Sequence, residues 1–449
     1  MHKRLVKKKF RMRAGLALAV ASILILSSLP AMGLIGLRRH KANVEGGAAQ
    51  KGPAASQAPA FVIPVEPLGF FNPGAFYLGQ RESLVSLGFL DENRILFTFR
   101  APGLIHRANP ANDNERQIRA EVLTLPQGTI ETEALWTLHD RARYLWMLRN
   151  GRFLLRDADT VKEGDARLDL KPLLQFPGPL LSLDMDPAQQ FLVTNSEEAV
   201  DKKPEVGQVG GPASAAADVT TDNQNGPDQN GTGQNESGER DVVLRILERT
   251  SGKVMLVSRV RAEVHLPIGS GGYLETLRGS GKDWVLTFNY FTGGSKVLGK
   301  LESSCQPPAQ FVSSSEILVN ACAMGNGRRL VAYSIEGQKL WESPTPATQI
   351  WPILVIAPDN SLIARETLTL DHSIEDFGHP LATEDIKGQW VEVFDAIGGK
   401  LLLKAPASPI LDAGGNVAIS PTGKRVAILN AGAIQVYELP AAVPQATHP

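Results

Sequence analysis

One pattern recurs seven times along this chain: an apolar run, a tight polar turn and a second apolar run, at residues 83–99, 142–157, 180–195, 273–289, 310–321, 351–366 and 416–430. The turns are built from Gly, Pro, Asn, Asp and Ser, as in "LDENR" (90–94) and "APDNS" (357–361), residues that supply turn dihedrals or bond their own backbone. The flanking runs are too short for helices and rich in Val, Ile, Leu and Phe, so they read as buried strands. A lone hairpin of this kind cannot bury both faces. Copies must therefore stack on one another.

After most copies comes a second pair of strand candidates: "RAEVLTL" with "ETEALWTL", then "DVVLRILERTSGKVMLVSRV", "RLVAYSIEGQKLWE" and "QWVEVFDAIGGKLLLKA". Each unit then holds four strands in about 49 residues, the period of a propeller blade. The expectation is an all-β chain folded as a seven-bladed β-propeller, six or eight being the neighbouring counts, with a hydrophobic segment at its N-terminus. The last unit offers only three strands, and an open ring would expose strand edges. "FVIPV" (61–65), with "AFYLG" (75–79) as the alternative, is expected to supply the fourth strand beside "AIQVYEL" (433–439).

The hairpins "IEGQKLW" (335–341) and "DAIGGKLLL" (395–403), following apolar-turn-apolar runs across residues 61–441, resemble the WD40-like and quinoprotein-like propellers of exported bacterial proteins. The resemblance implies a fold and names no activity. The G-x-x-L-W element that quinoprotein-type propellers repeat stands here once, at 337–341, and no WD dipeptide is present, so no cofactor is assigned.

Export is read from the first 41 residues. "HKRLVKKKFRMR" is basic, and residues 14–37 then run without a charge, long enough to span a bilayer yet ending in the small residues of a cleavage region. Both alternatives, a cleaved signal peptide and a single-pass inner-membrane anchor, place the body outside the inner membrane, in the periplasm or secreted. The expected organisation is residues 1–37 as signal peptide or anchor, 38–60 as flexible linker, 61–441 as propeller with a disordered insertion at 197–240, and 442–449 as tail. Two cysteines, Cys305 and Cys322, lack metal or redox spacing; one disulfide and two buried thiols are the alternatives.

Ten of the 46 Lys and Arg lie in residues 1–41, where there is no acid, so the remainder sets 36 basic residues against all 47 Asp and Glu. An acidic body repels polyphosphate, which argues against nucleic acid as a partner. In 228–239, Asp228, Asn230, Thr232, Gly233 and Glu239 fall at calcium-loop positions, but no helical pattern flanks them and Asn235 stands at the apolar anchor position. In 370–388, Asp371, His372, Glu375, Asp376 and His379 have metal-ligand chemistry and read as a solvated acidic loop. The glycines of 269–284 lack the Walker spacing and a following helix. The six tryptophans sit in strand-like runs and read as packing between blades. No catalytic, cofactor-binding or metal residue is assigned. The expected function is a non-catalytic exported propeller that binds an envelope protein or ligand, of a kind the sequence leaves unknown. The alternative is a propeller-type enzyme, such as a lactonase, a quinoprotein-like dehydrogenase or a glycan-acting protein, with its site at the central channel.

Overall fold

The computed structural model describes residues 57–71, 84–101, 115–139, 143–199, 240–322, 328–373, 383–411 and 414–440. They form seven antiparallel four-stranded sheets, the blades of a β-propeller. Among the described residues the only helical pieces are two 3-10 turns, Glu66–Leu68 and Thr383–Asp385. None of the described helices is long and apolar enough to cross a membrane. The expected signal or anchor segment, 1–37, lies outside the described residues, as do "AFYLG" and the tail from 442.

The first strand of the chain, β1 (Phe61–Pro64), belongs to the last blade. Blade 1 then comprises β2 (Ser86–Asp91), β3 (Arg94–Arg100), β4 (Arg116–Thr124) and β5 (Thr129–Leu138). Blade 2 comprises β6 (Leu145–Met147), β7 (Phe153–Asp157), β8 (Thr160–Gly164) and β9 (Lys171–Gln175). Blade 3 is β10 (Leu180–Met185), β11 (Phe191–Ala199), β12 (Arg240–Glu248) and β13 (Val254–Val260). Blade 4 is β14 (Ile268–Gly269), β15 (Gly272–Arg278), β16 (Asp283–Tyr290) and β17 (Ser295–Glu302). Blade 5 is β18 (Ala309–Phe311), β19 (Glu316–Cys322), β20 (Arg328–Ser334) and β21 (Lys339–Thr345). Blade 6 is β22 (Gln349–Ile356), β23 (Leu362–Leu370), β24 (Ile386–Asp395) and β25 (Leu401–Ala407), and blade 7 is β26 (Val417–Ile419), β27 (Arg425–Asn430), β28 (Ala433–Glu438) and β1.

Six of the seven sequence repeats are the first and second strands of their blades. The exception is 273–289, which is the second and third strands of blade 4. The first strand there, Ile268–Gly269, is two residues long, so it leaves no apolar run to read. The insertion expected at 197–240 is narrower at its base, because β11 and β12 pair from Glu197↔Val242 out to Ala199↔Arg240.

Closure joins the two ends of the sequence as the strand count requires. β1 pairs antiparallel with β28, with Phe61 opposite Val436 and Ile63 opposite Ile434. The Ala60 and Val65 amides extend the ladder to the Val436 and Gly432 carbonyls, at 2.7 and 3.0 Å. β1 alternates in burial: Ile63 is 2% exposed and Val62 49%. The buried side joins Val65, Phe70, Phe97, Phe99, Leu429 and Val436 in a core shared by blades 7 and 1.

Neighbouring blades dock through the two hairpins that carried the family resemblance. At Gly337 (φ 91°) a Cβ would lie 1.9 Å from the Leu298 carbonyl oxygen of blade 4. At Gly399 (φ 64°) a Cβ would lie 2.4 Å from Cδ2 of Trp341, whose indole donates to the Ala396 carbonyl at 2.8 Å. Glycine is required there for the left-handed backbone and for the close approach. Cys305 and Cys322 form a disulfide, their Cα atoms 5.6 Å apart, tying the segment after β17 to the end of β19.

Candidate functional site: the central channel

The leading strands of neighbouring blades meet, β2 with β6 and β26, β22 with β26 and β14 with β18, so β2, β6, β10, β14, β18, β22 and β26 ring the axis. They enclose two adjoining cavities. The larger, about 350 Å³, is bounded by residues of blades 3 to 6 and by Arg143, just ahead of β6. The smaller, about 130 Å³, lies against β2, β6, β22 and the start of blade 7, and Arg143 and Ile353 border both. The larger has the size of a small-molecule site. Its wall is mostly apolar, including Leu266, Ile268, Phe311 and Leu354, with a few polar groups set among them.

Those polar groups are Arg143 just ahead of β6, Asp184 on β10, His265 just ahead of β14, and Gln310 and Asn320 of blade 5. Asp184, on β10, binds His265 Nδ1 through Oδ2 at 3.1 Å, and His265 Nε2 meets the Ala309 carbonyl of blade 5 at 3.2 Å. A carbonyl can only accept, so Nε2 donates; with the carboxylate on Nδ1 both ring nitrogens are donors and the ring is an imidazolium. The Asp184 hydrogen bond raises the His265 pKa against the opposing effect of burial. Burial works to raise the Asp184 carboxyl, but His265, Arg143 and Arg156 outweigh it and hold its pKa low. The pair is a neutral strut across three blades, and its imidazole has no nitrogen left to act as a base.

Arg143 is different. The ring surrounds it, so burial lowers its pKa, yet its side chain is open to the channel. Among the described residues its one hydrogen bond runs from Nε to the Leu145 carbonyl, at 3.5 Å. The guanidinium stands 5.2 Å from the centre of the Trp146 ring, a cation–π contact that orients it. Its acidic neighbours are Asp184, already engaged by His265, and Glu366. Glu366, on β23, is fully buried; burial drives its pKa to about 8, while Gln389 Nε2 donates to it at 3.2 Å. With Asp184 engaged by His265 and burial favouring the neutral form of Glu366, Arg143 is the guanidinium of the cavity wall with no ion pair among the described residues.

Sequence reasoning assigned none of these residues. Asp184 and His265 are 81 positions apart, and no local spacing links them. The available signal for Asp184 was a single charge inside an otherwise apolar first strand, "LLSLDM" (180–185), since such a residue needs a polar partner or solvent beside it.

Of the acidic loop at 370–388, the structure brings Asp371 and His372 together with Asp385, their ligand atoms all within 4.8 Å. His372 Nδ1 contacts Asp371 Oδ1 at 2.6 Å, and all three side chains face solvent, which is the ion pairing of a surface loop. Glu375, Asp376 and His379 lie outside the described residues, as do Asp228, Asn230, Thr232, Gly233 and Glu239. Antiparallel alternation puts second-to-third-strand connections on the rim where the chain crosses between blades. The bases of both insertions, Ala199 with Arg240 and Leu370 with Ile386, thus share one rim. The described tryptophans serve packing: Trp136 and Trp146 are buried, and Trp284 donates to the Ser303 carbonyl at 3.1 Å.

No protein-family model matches the chain, and no curated protein sequence matches it. Solved structures do. An acylaminoacyl peptidase from Pyrococcus horikoshii is 9% identical, with a TM-score of 0.43 over 78% of this chain and 50% of that one. The β-propeller domain of the trilobed protease from Pyrococcus furiosus is 9% identical, with a TM-score of 0.42 over 80% and 96% of the two chains. A chain of a mitotic checkpoint complex is 10% identical, with a TM-score of 0.42 over 90% and 99%. This chain spans about half the length of the acylaminoacyl peptidase chain. Likenesses of this size assign no activity; the ring is established by the chain's own seven sheets.

Proposed function

We propose that the protein is a non-catalytic binding module of the cell envelope, exported by its N-terminal segment and taking a ligand or a partner's segment into the channel of the ring. One observation carries this reading: a cavity of about 350 Å³ on the axis, mainly apolar, with a guanidinium held open to it. Apolar walls with a few placed polar groups are what binding pockets share. The Cys305–Cys322 bond supports export, because disulfides persist in oxidising compartments. The basic stretch ahead of residues 14–37 supports an orientation with the body outside.

A photo-crosslinking amino acid at Gln310, which borders the cavity, tests the reading in the native envelope. Adducts of discrete mass that are absent when the crosslinker sits at exposed Val297 are expected. Equal labelling at the two positions would count against a channel site. Recovery after alkaline wash, with sequencing of the mature N-terminus, tests export and retention.

A further inference from the structure

The ligand's chemistry can be taken one step further, on the premise that the channel binds. We propose that it takes a small organic anion, one carboxylate on an apolar body, with the carboxylate on Arg143 and the body against the wall around Leu266, Ile268, Phe311 and Leu354.

Three features of the site converge on this class. The first is the fork itself. A guanidinium matches a carboxylate with two parallel hydrogen bonds, and Arg143 uses only Nε, at 3.5 Å, among the described residues. The second is charge balance. Asp184 is matched by His265 at 3.1 Å, Glu366 takes the Gln389 amide on one oxygen at 3.2 Å, and neither carboxyl is hydrogen-bonded to the guanidinium among the described residues. A guanidinium that lines a cavity and has no hydrogen-bonded counter-ion offers its remaining N–H groups to an anion there. The third is the wall. An inorganic ion would leave the apolar lining in contact with water, whereas an apolar body removes that surface from water.

The test uses the full-length protein and two matched probe pairs: 4-phenylbutyrate with 4-phenylbutyramide, and octanoate with octanamide. Binding is followed by calorimetry and by tryptophan emission, to which Trp146 beside Arg143 contributes. Each carboxylate is expected to bind at least about tenfold more tightly than its amide, and Arg143→Gln to erase that difference while Arg143→Lys retains part of it. Equal binding of acid and amide overturns the anion assignment and leaves the channel a binding site. A charge preference that survives in Arg143→Gln overturns the role of Arg143. Binding by none of the four probes overturns the anion assignment, and the crosslinker at Gln310 decides the channel reading separately. Melting temperatures of both variants, compared with that of the parent, separate a lost site from a lost fold.

Discussion

Deleting part of Ile63 tests whether the ring is held shut by the first strand. Ile63 is 2% exposed, and a Cβ placed on Gly128 would lie 2.3 Å from its Cγ2, so the side chain is tightly seated between blades 7 and 1. Ile63→Ala removes three carbons. At about 0.8 kcal/mol for each methylene-sized group the transfer loss is about 2.4 kcal/mol. Incomplete collapse of the cavity brings the expected cost to about 3 kcal/mol, inside the range for buried Ile→Ala changes. Val62, next along β1 and 49% exposed, is the control, and Val62→Ala is expected to cost less than about 1 kcal/mol. Both are read by urea unfolding as a shift in midpoint at constant slope. Equal costs for the two variants would refute the inward-outward alternation of β1. An Ile63→Ala protein as stable as the parent would refute closure by this strand.

Three further outcomes follow from the same structure. Serine at both Cys305 and Cys322 opens a loop of 17-residue separation and is expected to cost about 3 kcal/mol, read as a lowered melting temperature that reductant does not lower further. Gly337→Ala forces a Cβ against the Leu298 carbonyl at a positive φ, so it is expected to lower the melting point more than Gly432→Ala, where φ is also positive but no atom lies within 4 Å. Burial raises Glu366 to about 8 and Glu121 to about 7, so between pH 4.5 and those values the native state keeps protons that the unfolded chain has lost. The contribution of these two groups to stability is therefore full below that window and is lost as pH rises through it, by up to about 1.4 kcal/mol per pH unit for each group. Glu366→Gln should flatten the decline in urea titrations between pH 5 and 8, and an unchanged slope would count against a protonated Glu366.

The repeating hairpins were legible because they depend on neighbours in sequence. An apolar run, a turn residue and a second run specify a local strand pair wherever they occur, which is why six repeats fall on the first and second strands of their blades. Closure by "FVIPV" was legible too, because a strand count that falls one short leaves an edge that something must cover. Blade 4 was misplaced by one strand where Ile268–Gly269 is too short to carry a pattern. The glycines of the resembling hairpins were visible as turn residues. Only the structure gave their second role, the close approach to Leu298 and Trp341.

The channel belongs to the other category. Arg143, Asp184 and His265 become neighbours only when the ring closes; in sequence Asp184 is a single charge in an apolar run, whereas Arg143 in "HDRARYLW" and His265 in "RAEVHLP" stand among other charges that nothing local tells apart. Pairing of Cys305 with Cys322 was likewise undecided until their Cα atoms were placed 5.6 Å apart. Sequence by itself put the number of sheets at seven, six and eight being the neighbouring counts, and named the end of the chain that closes the ring, since burial periodicity and turn chemistry act over a few residues. Tertiary structure alone decided what faces the axis, because a residue's charge state and free hydrogen bonds there depend on groups brought in from other blades.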